Sequence, residues 1–146
     1  MSQSLADNFR ALGLPPPAAE WLLMVWQVIQ VLDDVADGDK IERADLDAAI
    51  WNSVVGFYQS PFFQAHWAIL VPVLAGMVMK WKASDVVERA GHADAKSYMW
   101  RAGYYDLVLA AMQIVHGAKI AMDNAHLVMR LYGETYEDYR KEFSDA

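Results

Sequence analysis

The chain has no cysteine. A disulfide framework and thiolate zinc sites are thereby excluded, and nothing calls for an oxidising compartment. Basic residues are also scarce, 12 Lys and Arg against 19 Asp and Glu, for a net charge of −7. Such a balance withholds the positive surface that sequence-independent binding to nucleic acid or to an anionic membrane requires. There is no glycine-rich phosphate loop, no Walker motif and no G-x-S-x-G. The histidines His66, His92, His116 and His126 fall at no metal-ligand spacing. The opening MSQSLADNFRALG has neither a basic n-region nor an apolar h-region. It does not read as a secretory signal, and a soluble, cytoplasmic protein is the expectation.

What is present is apolar and helical in pattern. Hydrophobic residues make up 55% of 146 positions and charged residues 21%, too apolar for disorder and long enough for one packed core. Helix formers dominate and alternating β-branched runs are rare, so the chain reads as all-α, a single-domain helical bundle over 1–146. Punctuation by Ser, Pro and Gly divides it into about six to seven helices. Helices are expected over 4–12, 17–37, 43–58, 61–90, 94–116 and 119–132, with a short one after Thr135. Asp39 to Glu42 has the form of a capping box for the third. Pro72 is expected to kink or split the fourth, because its ring removes a backbone donor and crowds the preceding turn. Glu20, Gln27, Gln30, Asp34 and Asp37 lie along one stripe of the second helix, a polar edge on an otherwise apolar cylinder.

One run tests solubility. Positions 61–79 carry no formal charge over nineteen residues, close to the length of a membrane span. Gln64, His66, Pro72 and Gly76 interrupt it, and the expectation is a buried core helix. The alternative is a small membrane-active protein built on that run.

Charge of one sign is concentrated. Seven carboxylates lie between Asp33 and Asp47, opposed only by Lys40 and Arg43. Their repulsion must be relieved by solvent, a basic partner or a cation. Asp33 and Asp37 project from one helical face with Asp34 beside them, an arrangement that suits Mg²⁺. These three residues resemble the DDxxD motif of isoprenoid synthases, and that resemblance implies Mg²⁺-pyrophosphate binding. A second resemblance, in chemistry, is to small all-α nucleotide pyrophosphatases. It implies a facing carboxylate, for which Asp106, alone in an apolar stretch, is the candidate; the chain lacks their Glu-x-x-Glu helices. The plainer reading gives Asp106 a structural partner: Arg101, a group on a neighbouring helix or a tyrosine hydroxyl. An EF-hand is also suggested by a helix, an Asp- and Gly-rich loop and a helix. With Gly38 as its turn glycine, Val35 and Ala44 occupy ligand positions; the other register puts Ala36 and Gly38 there. The remaining reading is a solvated acidic corner. In it Asp39, Glu42, Asp45 and Asp47 favour a helix N-terminus, while Asp33, Asp34 and Asp37 crowd a C-terminus.

The six Trp, seven Tyr and eight Met fall mostly at core-like helical spacing. At the C-terminal end, Tyr132, Tyr136 and Tyr139 share one side and read as a docking or subunit-contact face. The segments WQVIQVLDDVADGD, SPFF at Ser60 and MWRAGYYDL together resemble small all-helical accessory proteins of tailed bacteriophages. That resemblance implies an accessory role in the host cytoplasm and no catalytic residue. The functional expectation is a non-catalytic interaction protein without cofactor, self-associating or binding a protein partner, its acidic corner (with Asp39 and Glu42) open to a basic partner or a divalent cation. The rival is a Mg²⁺-dependent phosphohydrolase or pyrophosphate-binding enzyme using Asp33, Asp34 and Asp37, with Asp106 opposite.

Overall fold

The computed structural model describes residues 4–144, and every regular element among them is helical. In order these are α1 (Leu5–Ala11), α2 (Pro16–Asp37), α3 (Arg43–Trp51), a π-helical turn (Asn52–Gly56), α4 (Phe57–Gln59) and α5 (Pro61–Arg89). They are followed by α6 (Ala95–Trp100), α7 (Tyr104–His116), α8 (Ala118–Met129) and α9 (Tyr136–Ser144). The all-α class expected from composition is what the chain adopts. Its contacts gather into two compact units, one up to Trp67 and one from Ala68 onward, and α5 begins in the first and continues into the second.

The first unit is organised by α2. Ser4 caps α1 by accepting from the Asp7 amide at 3.1 Å, and proline opens α2 where no backbone donor is needed. The buried positions Ala18, Trp21, Leu22, Val25, Val28 and Val31 make one stripe of α2, which packs on α1, α3, the π-helical turn and α4. Gly38 stops the helix with φ 74°, a left-handed conformation that glycine takes without strain. The capping box over Asp39 to Glu42 does not form. Glu42 is itself the N-cap of α3 with no side-chain cap bond, and its carboxylate lies 3.8 Å from Lys40 Nζ. The third helix continues to Gln59, as the spacing predicts, but through a π-helical turn. The Ser53 hydroxyl donates to the Ala49 carbonyl at 2.7 Å there, a side-chain bond that competes with the regular ladder.

Ser60 caps α5 through the Phe63 amide at 3.3 Å. The break in this helix is at His66 (φ −132°, ψ 16°), not at Pro72, which sits in helical backbone. Pro72 and Ala68 are both exposed, so the carbonyl that loses its donor is open to solvent and the helix needs no kink to satisfy it.

In the second unit α7 packs along α8, to which Gly117 joins it, and α6 packs on α9. Leu107, Val108, Ala111 and Met112 of α7 and Ala121 and Val128 of α8 are buried. The helix expected over 94–116 is divided at Arg101 to Gly103. Two short-range bonds mark the division, from the Ala102 amide to the Met99 carbonyl and from the Asp106 amide to the Gly103 carbonyl, each 3.1 Å. Met77 of α5 lies beside the division: a Cβ on Gly103 would lie 3.4 Å from Met77 Cα, at ordinary contact distance.

Candidate functional site

The acidic junction lies where α2 ends and α3 begins. Asp33 and Asp34 are half-buried and Asp37 exposed at the end of α2, and Asp39, Glu42, Asp45 and Asp47 are exposed beyond it. Both opposing cations are engaged locally. Arg43 Nε donates to Asp47 Oδ1 at 2.9 Å, and Lys40 stands by Glu42. One member of the polar edge of α2 is used internally: Gln27 Nε2 donates to the Asp45 carbonyl at 2.8 Å, and Asn52 Nδ2 donates to Gln27 Oε1 at 3.1 Å. Asp106 has the structural partner of the plainer reading, Lys80 on α5, within the second unit. Among the described residues no group of three or more His, Asp or Glu gathers in a geometry to hold a metal ion.

Replacing Asp33 and Asp34 by Asn should leave the melting temperature equal or raise it by a few degrees at low salt. Two negative charges at the unfavourable end of a helix are removed, and the gain should fade near 0.5 M NaCl as screening replaces it. A lower melting temperature would mean that these carboxylates hold a favourable partner.

The tyrosine face is corrected. Tyr139 is 1% exposed; its hydroxyl donates to Glu88 Oε2 at 2.9 Å and lies 2.5 Å from Ser97 Oγ. Tyr132 is half-buried and donates to Glu134 Oε2 at 2.5 Å. Tyr98 donates to the Glu134 carbonyl at 2.6 Å and its ring meets those of Tyr132, Tyr136 and Tyr139. Only Tyr136 of the three expected contact residues is exposed: Tyr139 is buried where α9 packs on α6, and Tyr132, which precedes α9, is half-buried against Tyr98 and Tyr105.

At the centre of this cluster is Arg101. Its guanidinium lies 3.7 Å from Glu88, 3.4 Å from Glu134 and 3.7 Å from Glu142, with the Tyr139 ring 5.0 Å away. Burial works against its charge, but the carboxylates of Glu134 and Glu88 outweigh it and hold the proton more firmly than usual. Burial raises the pKa of Glu88 against the pull of Arg101. It also pushes Tyr139 up to about 12, with the Glu88 bond adding to the rise and the Ser97 bond opposing it. The groups satisfy one another, so the cluster ties α5, α6 and α9 together and offers no open valence. No motif announces it. The only hint is an arginine in MWRAGYYDL beside small residues that permit a turn.

Large apolar side chains are exposed on several helices, α2, α3 and α8 included, and α5 carries more of them than any other described element. The expected burial of 61–79 is not found: 11% of the most apolar 18-residue window of α5 is buried within the chain. In the second unit Leu70 and Ser84 are buried, and Val73, Met77 and Val87 half-buried. Ile69, Val71, Val78, Met79 and Val86 are exposed, Met79 by 71%. Family models, curated proteins and solved structures give no match to this chain.

Proposed function

We propose that the chain is a helical interaction protein that docks through the exposed apolar face of α5, with the acidic α2–α3 junction as a solvated surface suited to a basic partner. The observation that carries this reading is the 11% burial of the most apolar window of α5. Apolar surface left in water is unfavourable by about 25 cal/mol for each Å², and large exposed apolar patches mark contact surfaces. An accessory role of the sort implied by the tailed-bacteriophage resemblance needs nothing beyond such a face.

The test is sedimentation velocity on the native chain and on Val78→Glu with Met79→Glu. The native chain is expected to sediment as an assembly, alone or with its partner. The double variant should sediment as a monomer with an unchanged circular dichroism melt, because both side chains already point outward. A native chain that stays monomeric at every concentration and binds no partner contradicts the reading.

Membrane association is a second reading, favoured by the length and apolarity of α5, 29 residues with a mean hydropathy of 1.7 in its best window. Against it stand the Lys80–Asp106 pair and the Met77–Gly103 contact, which tie the middle of α5 to α7. Flotation with liposomes separates the two: the interaction reading predicts that the chain remains at the bottom of the gradient.

A further inference from the structure

Three polar contacts in the second unit form one line. Glu88 Oε2 lies 2.9 Å from the Tyr139 hydroxyl, that hydroxyl 2.5 Å from Ser97 Oγ, and Ser97 Oγ 3.0 Å from the Asp94 carbonyl. Each distance is that of a hydrogen bond, and each bond needs a proton of its own. Tyr139 and Ser97 supply one apiece, so with Glu88 ionised two protons serve three contacts. Tyr139 then donates to Glu88, Ser97 donates to Tyr139, and the Asp94 carbonyl receives nothing from Ser97. A third proton has its place on Glu88. With it every bond in the line reverses: Glu88 donates to Tyr139, Tyr139 to Ser97, and Ser97 to the Asp94 carbonyl. Neither state orphans a group, because the Asp94 carbonyl also accepts from the Tyr98 amide at 3.1 Å.

The line is shielded from water. Tyr139 is 1% exposed, Ser97 0%, and the Glu88 side chain 11%. It is also what anchors α9. Among the described residues of that helix Tyr139 alone is buried, and the helix packs on α6. Glu88 belongs to α5, Ser97 to α6, and Asp94 is the N-cap of α6. The protonation of one carboxyl on α5 is therefore felt at the buried anchor of α9.

We infer that α9 is a proton-dependent strap: proton uptake by Glu88 reverses the line of hydrogen bonds through Tyr139 and Ser97 to the Asp94 carbonyl, and holds α9 more firmly. The inference is independent of what docks on α5.

The groups facing Glu88 set the sign. Burial disfavours its charge and is the largest influence; Arg101, from the connection between α6 and α7, opposes it, as does the Tyr139 bond. Glu142 on α9 and Asp85 on α5 add repulsion. Asp85 is itself 3.9 Å from Lys82 and 3.6 Å from Arg89, and Arg101 is shared with Glu134 and Glu142. The balance raises the pKa of Glu88. An open α9 returns Glu88 toward water and its ordinary value of 4.5, so a proton on Glu88 favours the closed strap. The hold is complete below that ordinary value and is lost as pH rises through the closed one.

The test is a titration of the ¹³C-labelled full chain from about pH 4 to about pH 8, followed by NMR at Glu88 Cδ and Ser97 Cβ. Ser97 reaches Glu88 through Tyr139. Ser97 Cβ is nevertheless expected to shift with the midpoint of the Glu88 carboxyl, above 4.5. Glu88→Gln should abolish that shift, and so should Tyr139→Phe, in which Glu88 still titrates. Amide exchange, corrected for intrinsic rates, reads the strap itself. The ratio of α9 opening in the native chain to that in Glu88→Gln is expected to be near one at about pH 4. It should grow several-fold by about pH 8.

A Ser97 Cβ that stays still while Glu88 titrates overturns the reversal. An opening ratio that is flat, or that falls as pH rises, overturns the strap. If Tyr139→Phe releases α9 altogether, the native chain against Glu88→Gln decides both points.

Discussion

Arg101→Met is expected to lower the stability of the second unit by about 3 kcal/mol at neutral pH, with a loss that shrinks as the solution is acidified. Arg101 is 19% exposed and Glu88 11%, measured on their side chains. Removing the guanidinium strands the Glu88 carboxylate in that setting, with the Tyr139 hydroxyl left as its hydrogen-bond partner among the described residues. The pKa of Glu88 is raised in the fold, burial being the largest cause. The folded chain therefore binds this proton more tightly than the unfolded chain does. The contribution of Glu88 to stability is full below its ordinary value of 4.5 and is lost as pH rises through the folded value. Without Arg101 the folded value climbs further, so the deficit of the variant is small near pH 4 and widens toward about pH 7. Urea denaturation of both proteins across that range measures it. A deficit that does not change with pH contradicts the assignment. Adding Glu88→Gln to Arg101→Met should recover most of the loss, since the stranded charge is then gone.

Trp21→Ala should destabilise the first unit by about 4 kcal/mol, and Trp21→Phe by well under half of that. Trp21 is completely buried, stacked on Phe63 with centroids 5.6 Å apart and set edgewise to Phe57 at 6.2 Å. Its removal opens a cavity where α2 meets α4 and the start of α5. The indole N–H finds no acceptor among the described residues, so phenylalanine gives up packing area and sheds a buried orphan donor in exchange. Denaturant midpoints of the two variants decide the matter: equal losses would mean that the indole N–H is satisfied after all.

Where helices begin and end was legible because the stop and start signals are local chemistry. Gly38, Ser60 and Thr135 each act within a turn of their own position, and a helix ends or begins at each of them; Ser4, placed inside the first helix by its pattern, is its N-cap. The failures are tertiary. Pro72 leaves the backbone around it helical, whereas the helix breaks at His66, whose ring lies against Phe62 with centroids 5.3 Å apart. The run 94–116 has one continuous helical pattern and is divided at Arg101 to Gly103, beside Met77, twenty-six residues before Gly103 in sequence. Tyr139 has the spacing of a surface face and is buried because Ser97 and Glu88 meet its hydroxyl. The apolar run 61–79 has the composition of a core and lies largely outside one. Periodicity reports which face is apolar; it is silent on whether that face meets its own chain or another.

Met79 and Met122 are matched probes of that last point, 71% and 70% exposed on α5 and α8. The decisive measurement is side-chain footprinting of both methionines over a range of chain concentrations spanning the micromolar regime, read by mass spectrometry. Labelling of Met79 should fall as concentration rises while that of Met122 stays constant. If Met79 is labelled equally at every concentration while the chain associates, α5 is not the contact face.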